Sequence, residues 1–241
     1  KIIDYREGIT IEDEEAFLEK LLALPDQEAE EGKVFIIHGC KDEYAEFIID
    51  HRDILSTKYI VPYIDKELKD KLIEKDSFYQ ICEEYDLNYP KTHVFNKGDE
   101  VVDFGFNYPV ILKASDSVTY FQHEFDGMKK AYVVQNAAEF KQITDEIYSH
   151  GYEKSLIVQD FIPGDDSHMR VLTCYSDQNG KVKMMCLGHV LLEEHTPHGL
   201  GNHAVIITEP NEELMMKVKN LLEDLHYVGF SNFDIKYDRR D

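Results

Sequence analysis

The chain has 241 residues and a formal net charge of −22, with 43% hydrophobic and 31% charged residues. Such a charge repels phosphate backbones, and no basic stripe with interleaved aromatics is present, so the composition argues against nucleic acid and requires local cations for any anionic ligand. No apolar run approaches the roughly 18 residues of a membrane span, none reads as a signal peptide, and the length suits two packed lobes or one large α/β domain.

From Thr10, "TIEDEEAFLEKLLALP" sets a polar cap and an acidic first turn ahead of Phe17, Leu21, Leu22 and Leu24, predicting a helix that stops at Pro25. "KVFIIHG" predicts a buried strand, "DEYAEFIIDHRDIL" a helix and "KYIVPY" a second strand, together a βαβ unit with parallel pairing. Charge patterning changes near residue 64, where a lobe boundary is expected. Two helical turns and a longer helix ending near Asp86 follow, then a strand after Tyr89-Pro90. "NYPVILKAS" and "KKAYVV" predict strands separated by a polar, glycine-bearing loop from Ser115 to Lys129. Asn136 caps an amphipathic helix that Gly151 ends. "SLIVQDFI" leads through a Pro163-Gly164 corner into a hairpin turning at Asp177-Gln178-Asn179-Gly180. A strand, a Gly-rich loop, a strand and the helix "PNEELMMKVKNLLEDL" come next. In the closing strand "GFSNFDIKYD", Phe233, Ile235 and Tyr237 face one way and Asp234 and Lys236 the other.

Four cysteines, Cys40, Cys82, Cys174 and Cys186, lack CxxC or zinc spacing and read as reduced, buried thiols of a cytoplasmic protein. Lys113 ends an apolar strand and Lys75 precedes an apolar helix. Alone, each reads as a snorkelling surface lysine. Together with Gly127, Lys129 and Lys130 they suggest a polyphosphate site, although neither Walker A nor GxGxxG is present. Backbone groups of Asp160 to Ile162 could meet an adenine edge, and Asp165 or Asp166 could accept ribose hydroxyls. An Asp-Asp pair in isolation is ordinary turn chemistry. His195, His198 and His203 flank the Gly-rich loop at irregular spacing, which suits neither a metal cluster nor an assigned base.

"KDSFYQICEEYDLNYPKT", "YPVILKAS", "VQDFIPGDDSHMRVL" and "GFSNFDIKYD", in this order, resemble the ATP-grasp carboxylate–amine ligases. The run from "DDSHMRVL" through "LLEEHTPHGLGNHAVIIT" is most similar to the D-aspartate ligase branch, whose members attach D-aspartate to the lysine side chain of a peptidoglycan precursor. The resemblance implies an α+β, ATP-grasp fold of two lobes gripping ATP (residues 65–241, lid lobe about 90–162 and C-terminal lobe about 163–241), preceded by part of a Rossmann-like pre-ATP-grasp α/β domain (residues 1–64). It implies ATP and Mg2+ as cofactors, an amino-acid carboxylate and an amine acceptor as substrates, and pairing as a homodimer through the N-terminal lobe. Carried over by position, Lys75 and Lys113 contact nucleotide phosphates under a lid from Ser115 to Lys130 that includes Lys129. Gln159, Asp160, Phe161 and Ile162 form the adenine hinge, Asp166 binds the ribose and Asp234 the metal. Arg170 and Asn202 are expected at the acyl-phosphate end. In the family a further strand with a Glu-x-Asn pair completes the metal site; that motif is absent after "YDRRD", so the chain is expected to be an inactive fragment. Alternatives are another ATP-grasp ligase, acting on a different amino acid or resembling carbamoyl-phosphate synthase, and a non-catalytic nucleotide-binding scaffold.

Overall fold

A computed structural model describes residues 11–28, 30–73, 75–100, 103–194, 196 and 201–240. Its contacts divide the chain into two units: Lys1–Asp86, Thr173–Met185 and Glu212–Ser231 form one, and Leu87–Leu172, Cys186–Asn211 and Asn232–Asp241 the other.

In the first unit, helix α1 (Glu14–Gln27) starts at Asp13, whose side chain accepts from the Ala16 N–H; Thr10 lies outside the described residues. The helix runs through Pro25 instead of stopping there. Proline has no N–H for the carbonyl four residues back. The Tyr59 hydroxyl instead donates to the Leu21 carbonyl at 2.5 Å, so that acceptor is satisfied. Tyr59→Phe should therefore destabilise this unit by about 1 kcal/mol in urea melting. A melt unchanged within error would show that Pro25 needs no such compensation.

Helices α2 (Asp42–Asp50) and α3 (Arg52–Leu55) follow. Phe47, Ile48 and Leu55 pack with Ile37 and Val61, and Phe17 and Leu21 of α1 close over them. The two expected strands shrink to one parallel bridge, Ile36 with Ile60. Ile60 N–H donates to Phe35 and Ile37 N–H to Ile60. The next ladder bond would need an N–H from residue 62, which is proline. Helices α4 (Lys66–Ile73) and α5 (Lys75–Glu84) match the expected pair.

In the second unit, strands β1 (Thr92–Phe95), β2 (Val110–Ala114), β3 (Ala131–Val134) and β4 (Leu156–Asp160) form an antiparallel sheet of order β1-β4-β2-β3. Helix α7 (Ala137–Ser149), capped by Asn136, contributes Phe140 and Ile147 to a core with Val110, Leu112, Val134, Leu156 and Val158. The loop expected from Ser115 to Lys129 contains a short helix, α6 (Ser117–Phe121), because Asp116 accepts from the Thr119 N–H and caps it.

Strands β5 (Met169–Ser176), β6 (Val182–Glu193), β7 (His203–Thr208) and β8 (Gly229–Lys236) make a second sheet of order β7-β6-β5-β8, with α8 (Glu212–Asp224) between its last two strands in sequence. Exposure along β8 alternates as expected, with Asp234 on the open side. Cys82 and Cys174 are buried, whereas Cys40 and Cys186 are exposed, contrary to the expectation of four buried thiols; all four are free. Among the described residues, no helix is long and apolar enough to cross a membrane.

Candidate functional site

The period of two places Val110 and Leu112 of β2 in the α7 core and turns Ile111 and Lys113 to the opposite face. Cross-strand partners share a face, so Lys113 joins Ile157 and Ala131 there, and Ile111 joins Gln159. Desolvation by burial, and then repulsion from Lys130, pushes the Lys113 ammonium below its ordinary value. Among the described residues Lys113, Lys129 and Lys130 have no ion-pair partner, in a chain of net charge −22. Two ammoniums left close together and un-neutralised make a site suited to a polyanion.

The segment from Ser115 to Lys130 is anchored at both ends. The Tyr120 hydroxyl donates to the Lys129 carbonyl at 3.1 Å and the Lys129 N–H donates to the Tyr132 hydroxyl at 3.0 Å. Ser115 bonds Ser155 through backbone and hydroxyl, and Asp116 forms an ion pair with Lys154. Lys154 first, and the Thr119 N–H second, hold the Asp116 carboxyl down at about 2, against an ordinary 3.8. This stabilisation is complete above about pH 4 and is lost as pH falls toward 2. Asp116→Asn should flatten that acid limb in pH-dependent thermal melting. A limb of unchanged slope would place the acid-labile group elsewhere.

At the far end of β4, residues 160 and 161 meet the end of β8 and the segment that follows it. Arg240 spans Asp160 at 3.0 Å and Asp238 at 2.6 Å, and Lys236 lies 5.4 Å over the Phe161 ring. A cleft of about 280 Å³ beside the end of β4 is lined by Lys91, Phe106, Tyr108, Asp160, Phe161 and Arg240 among others, and the buried Tyr108 hydroxyl has no hydrogen-bond partner among the described residues. Gln159 uses its amide to reach Thr92 Oγ1, while Ile162 is half-buried.

The corner after β4 requires Gly164: its φ is +122°, and a Cβ there would stand 2.4 Å from the His168 ring. Asp165 accepts from Ser167 and His168, which lower its carboxyl in that order, and so serves the turn itself. Asp166 reaches away and accepts the Glu193 N–H at 2.9 Å. Arg170 is buried behind this corner. It donates to the Ser167 and Met169 carbonyls and to Glu209 at 2.9 Å, and stacks 4.6 Å from the Tyr237 ring. His189 braces the same Glu209 at 2.8 Å.

At the Gly-rich loop, Lys130 Nζ stands 3.9 Å from where a Cβ on Gly201 would be. Asn202 accepts from the Glu194 N–H through its backbone, and Glu194 is lowered by Thr196 and then Asn202. His195 and His198 lie outside the described residues, as does the side chain of Lys75. Asp234 is exposed, and one oxygen meets His203 Nε2 at 3.3 Å. Among the described residues no three His, Cys, Asp or Glu groups are arranged to hold a metal ion. One exposed carboxylate fits magnesium only where phosphate oxygens and water complete its shell.

Two contacts went beyond the sequence reading, which had named both residues. Lys130, more than Lys129, is the neighbour of Lys113, with Ala131 beside it opposite Lys113 in the β2–β3 register. His203 contacts Asp234 across strands, for which loop spacing holds no signal.

No protein-family model matches the chain. Over 231 residues, 93% of the chain, it is 46% identical to D-aspartate ligase of Enterococcus faecium (strain Aus0004), of which it spans 55%. The biotin carboxylase domain of Hydrogenobacter thermophilus 2-oxoglutarate carboxylase, solved with MgADP, ADP and bicarbonate, superposes with a TM-score of 0.65 at 14% identity, covering 98% of this chain and 51% of that one. An L-amino acid ligase from Bacillus licheniformis does so with a TM-score of 0.57 at 16% identity, covering 95% and 51%. The chain has the ATP-grasp fold, and in sequence it is similar to D-aspartate ligase.

Proposed function

We propose that the native protein bearing this chain is an ATP-dependent carboxylate–amine ligase that joins the carboxylate of D-aspartate to an amine of a peptidoglycan precursor. The observation that carries the reading is the pair Lys113 and Lys130, two neighbouring cations with no ion-pair partner among the described residues of an acidic chain. The choice of D-aspartate rests on the likeness to D-aspartate ligase.

In this reading a carboxylate oxygen of the amino acid attacks the γ-phosphorus of ATP, ADP leaves, and an acyl phosphate forms. The amine then attacks the carbonyl carbon, phosphate leaves and the amine loses a proton. Neither step needs a side-chain nucleophile; charge stabilisation and alignment supply the rate. Lys113, Lys130 and Lys129 hold the phosphates, with Ser115 at the start of the same segment; the side chain of Lys75 lies outside the described residues. Backbone groups from Gln159 to Ile162 meet the adenine, and Asp166 meets the ribose. A magnesium ion bound with ATP would neutralise phosphate charge, with Asp234 as its protein ligand. Arg170, neutralised by Glu209 and spent on two carbonyls, supports the corner from behind. Asn202 steadies the Gly-rich loop. A boundary near residue 64, a homodimer and a cytoplasmic location belong to the same proposal; the four free cysteines are consistent with the last.

The test is isotope exchange within ATP, with the amine withheld. Reversible acyl-phosphate formation moves 18O from the β–γ bridge of ATP to non-bridge positions of the β-phosphate. Exchange that depends on D-aspartate and not on L-aspartate is expected. Exchange with another amino acid alone would replace the substrate. A nucleotide-binding scaffold without chemistry, favoured by the sparse metal donors among the described residues, predicts none at all.

A further inference from the structure

We infer that His203 is a positioning residue that aims the Asp234 carboxylate, with Glu193 in contact with the far side of its ring. This inference rests on the reading that Asp234 faces the magnesium ion of ATP. His203 opens β7 opposite Glu193 of β6, and the ladder is irregular between Leu192 and Glu193. Irregularities of this kind re-aim side chains in a strand. Here Glu193 meets the imidazole edge: its Oε1 lies 3.5 Å from His203 Nδ1.

The other ring nitrogen, Nε2, lies 3.3 Å from Asp234 Oδ1 and donates to it. The His203 side chain is 9% exposed and that of Glu193 13%, against 61% for Asp234. Neither Glu193 Oε1 nor His203 Nδ1 makes a hydrogen bond among the described residues. A buried imidazole is thus set between two carboxylates, with its one hydrogen bond directed at the exposed one.

An exposed carboxylate is free to rotate, and ordering it on a ligand carries an entropic cost. With Oδ1 held by a ring that is nine-tenths buried, Asp234 is oriented in advance and Oδ2 is left for the cation. Partners of this kind, one step behind a ligating carboxylate, orient it and raise metal affinity. The device also reaches the ribose end of the site, because Asp166 accepts the N–H of the same Glu193. One backbone position therefore ties the acidic corner to the metal carboxylate.

The test measures Mn2+ affinity by electron paramagnetic resonance on the protein saturated with ADP, for the parent, Asp234→Asn, His203→Asn and His203→Gln. A glutamine amide can occupy the place of Nε2, whereas an asparagine amide falls short of Asp234. Both are polar and smaller than histidine, so a general loss of folding would affect them alike, and ADP affinity without metal reports on it. His203→Asn should weaken Mn2+ about tenfold, and His203→Gln should stay within about threefold of the parent. If Asp234→Asn loses Mn2+ while His203→Asn matches the parent, or if both His203 variants fall equally, the positioning role is overturned and the metal site stands. If Asp234→Asn binds Mn2+ as the parent does, the underlying assignment fails and this inference falls with it.

Discussion

Lys113→Ala is expected to weaken Mg·ATP binding by roughly 10- to 100-fold in calorimetric titration, from the loss of a charge-assisted contact of about 1.5–3 kcal/mol. Its thermal stability should not fall. The Lys113 residue is exposed on the strand, yet partial burial of its ammonium first and Lys130 second press it below its ordinary value, and it has no partner among the described residues, so its removal relieves an unfavourable charge. Affinity should also decline on the alkaline side earlier than for an ordinary lysine. The lowered value means that Lys113 deprotonates sooner in the free protein, whereas bound phosphate favours its charged form. Lys113→Ala should lose that dependence. Unaltered affinity in the variant would remove the phosphate site from this face of the sheet.

Phe140→Ala is expected to be the most damaging single substitution for stability, at about 3–5 kcal/mol in urea melting. Phe140 is fully buried on α7, edge-on to Phe95 with centroids 5.0 Å apart and tilted to Phe104 at 5.2 Å. Its removal opens a cavity directly beneath the sheet whose other face carries Lys113. Total stabilities of 5–15 kcal/mol make such a loss a large share. Nucleotide affinity should fall as a consequence, and saturating Mg·ATP should recover part of the melting midpoint. A loss below about 1 kcal/mol would mean that the core relaxes around the missing ring.

Elements whose cause is local were legible. Asn136 caps α7, the alternation in β8 turns Asp234 outward, and the turn at Asp177 to Gly180 closes the β5–β6 hairpin. Elements whose cause is a distant partner were not. A tyrosine 34 residues further along the chain lets α1 continue through Pro25, since Tyr59 satisfies the orphaned carbonyl of Leu21. Pro62 halts a parallel ladder that the apolar runs alone would extend. In the site, the corner and the strand-end lysine carry recognisable words, whereas the division of labour at the corner does not. Asp165 serves the turn, Asp166 faces β6, and Arg170 is drawn inward by Glu209, all through contacts between strands.

In the proposed reading the nucleotide binds between the Lys113 face of the first sheet and the corner that follows β4. Hydrogen–deuterium exchange, followed by peptide mass with and without saturating Mg·ATP, tests it most directly. Protection at residues 111–132, 156–168, 201–208 and 232–237 is the predicted result. Protection centred on residues 17–48, or no protection anywhere in the chain, would contradict it.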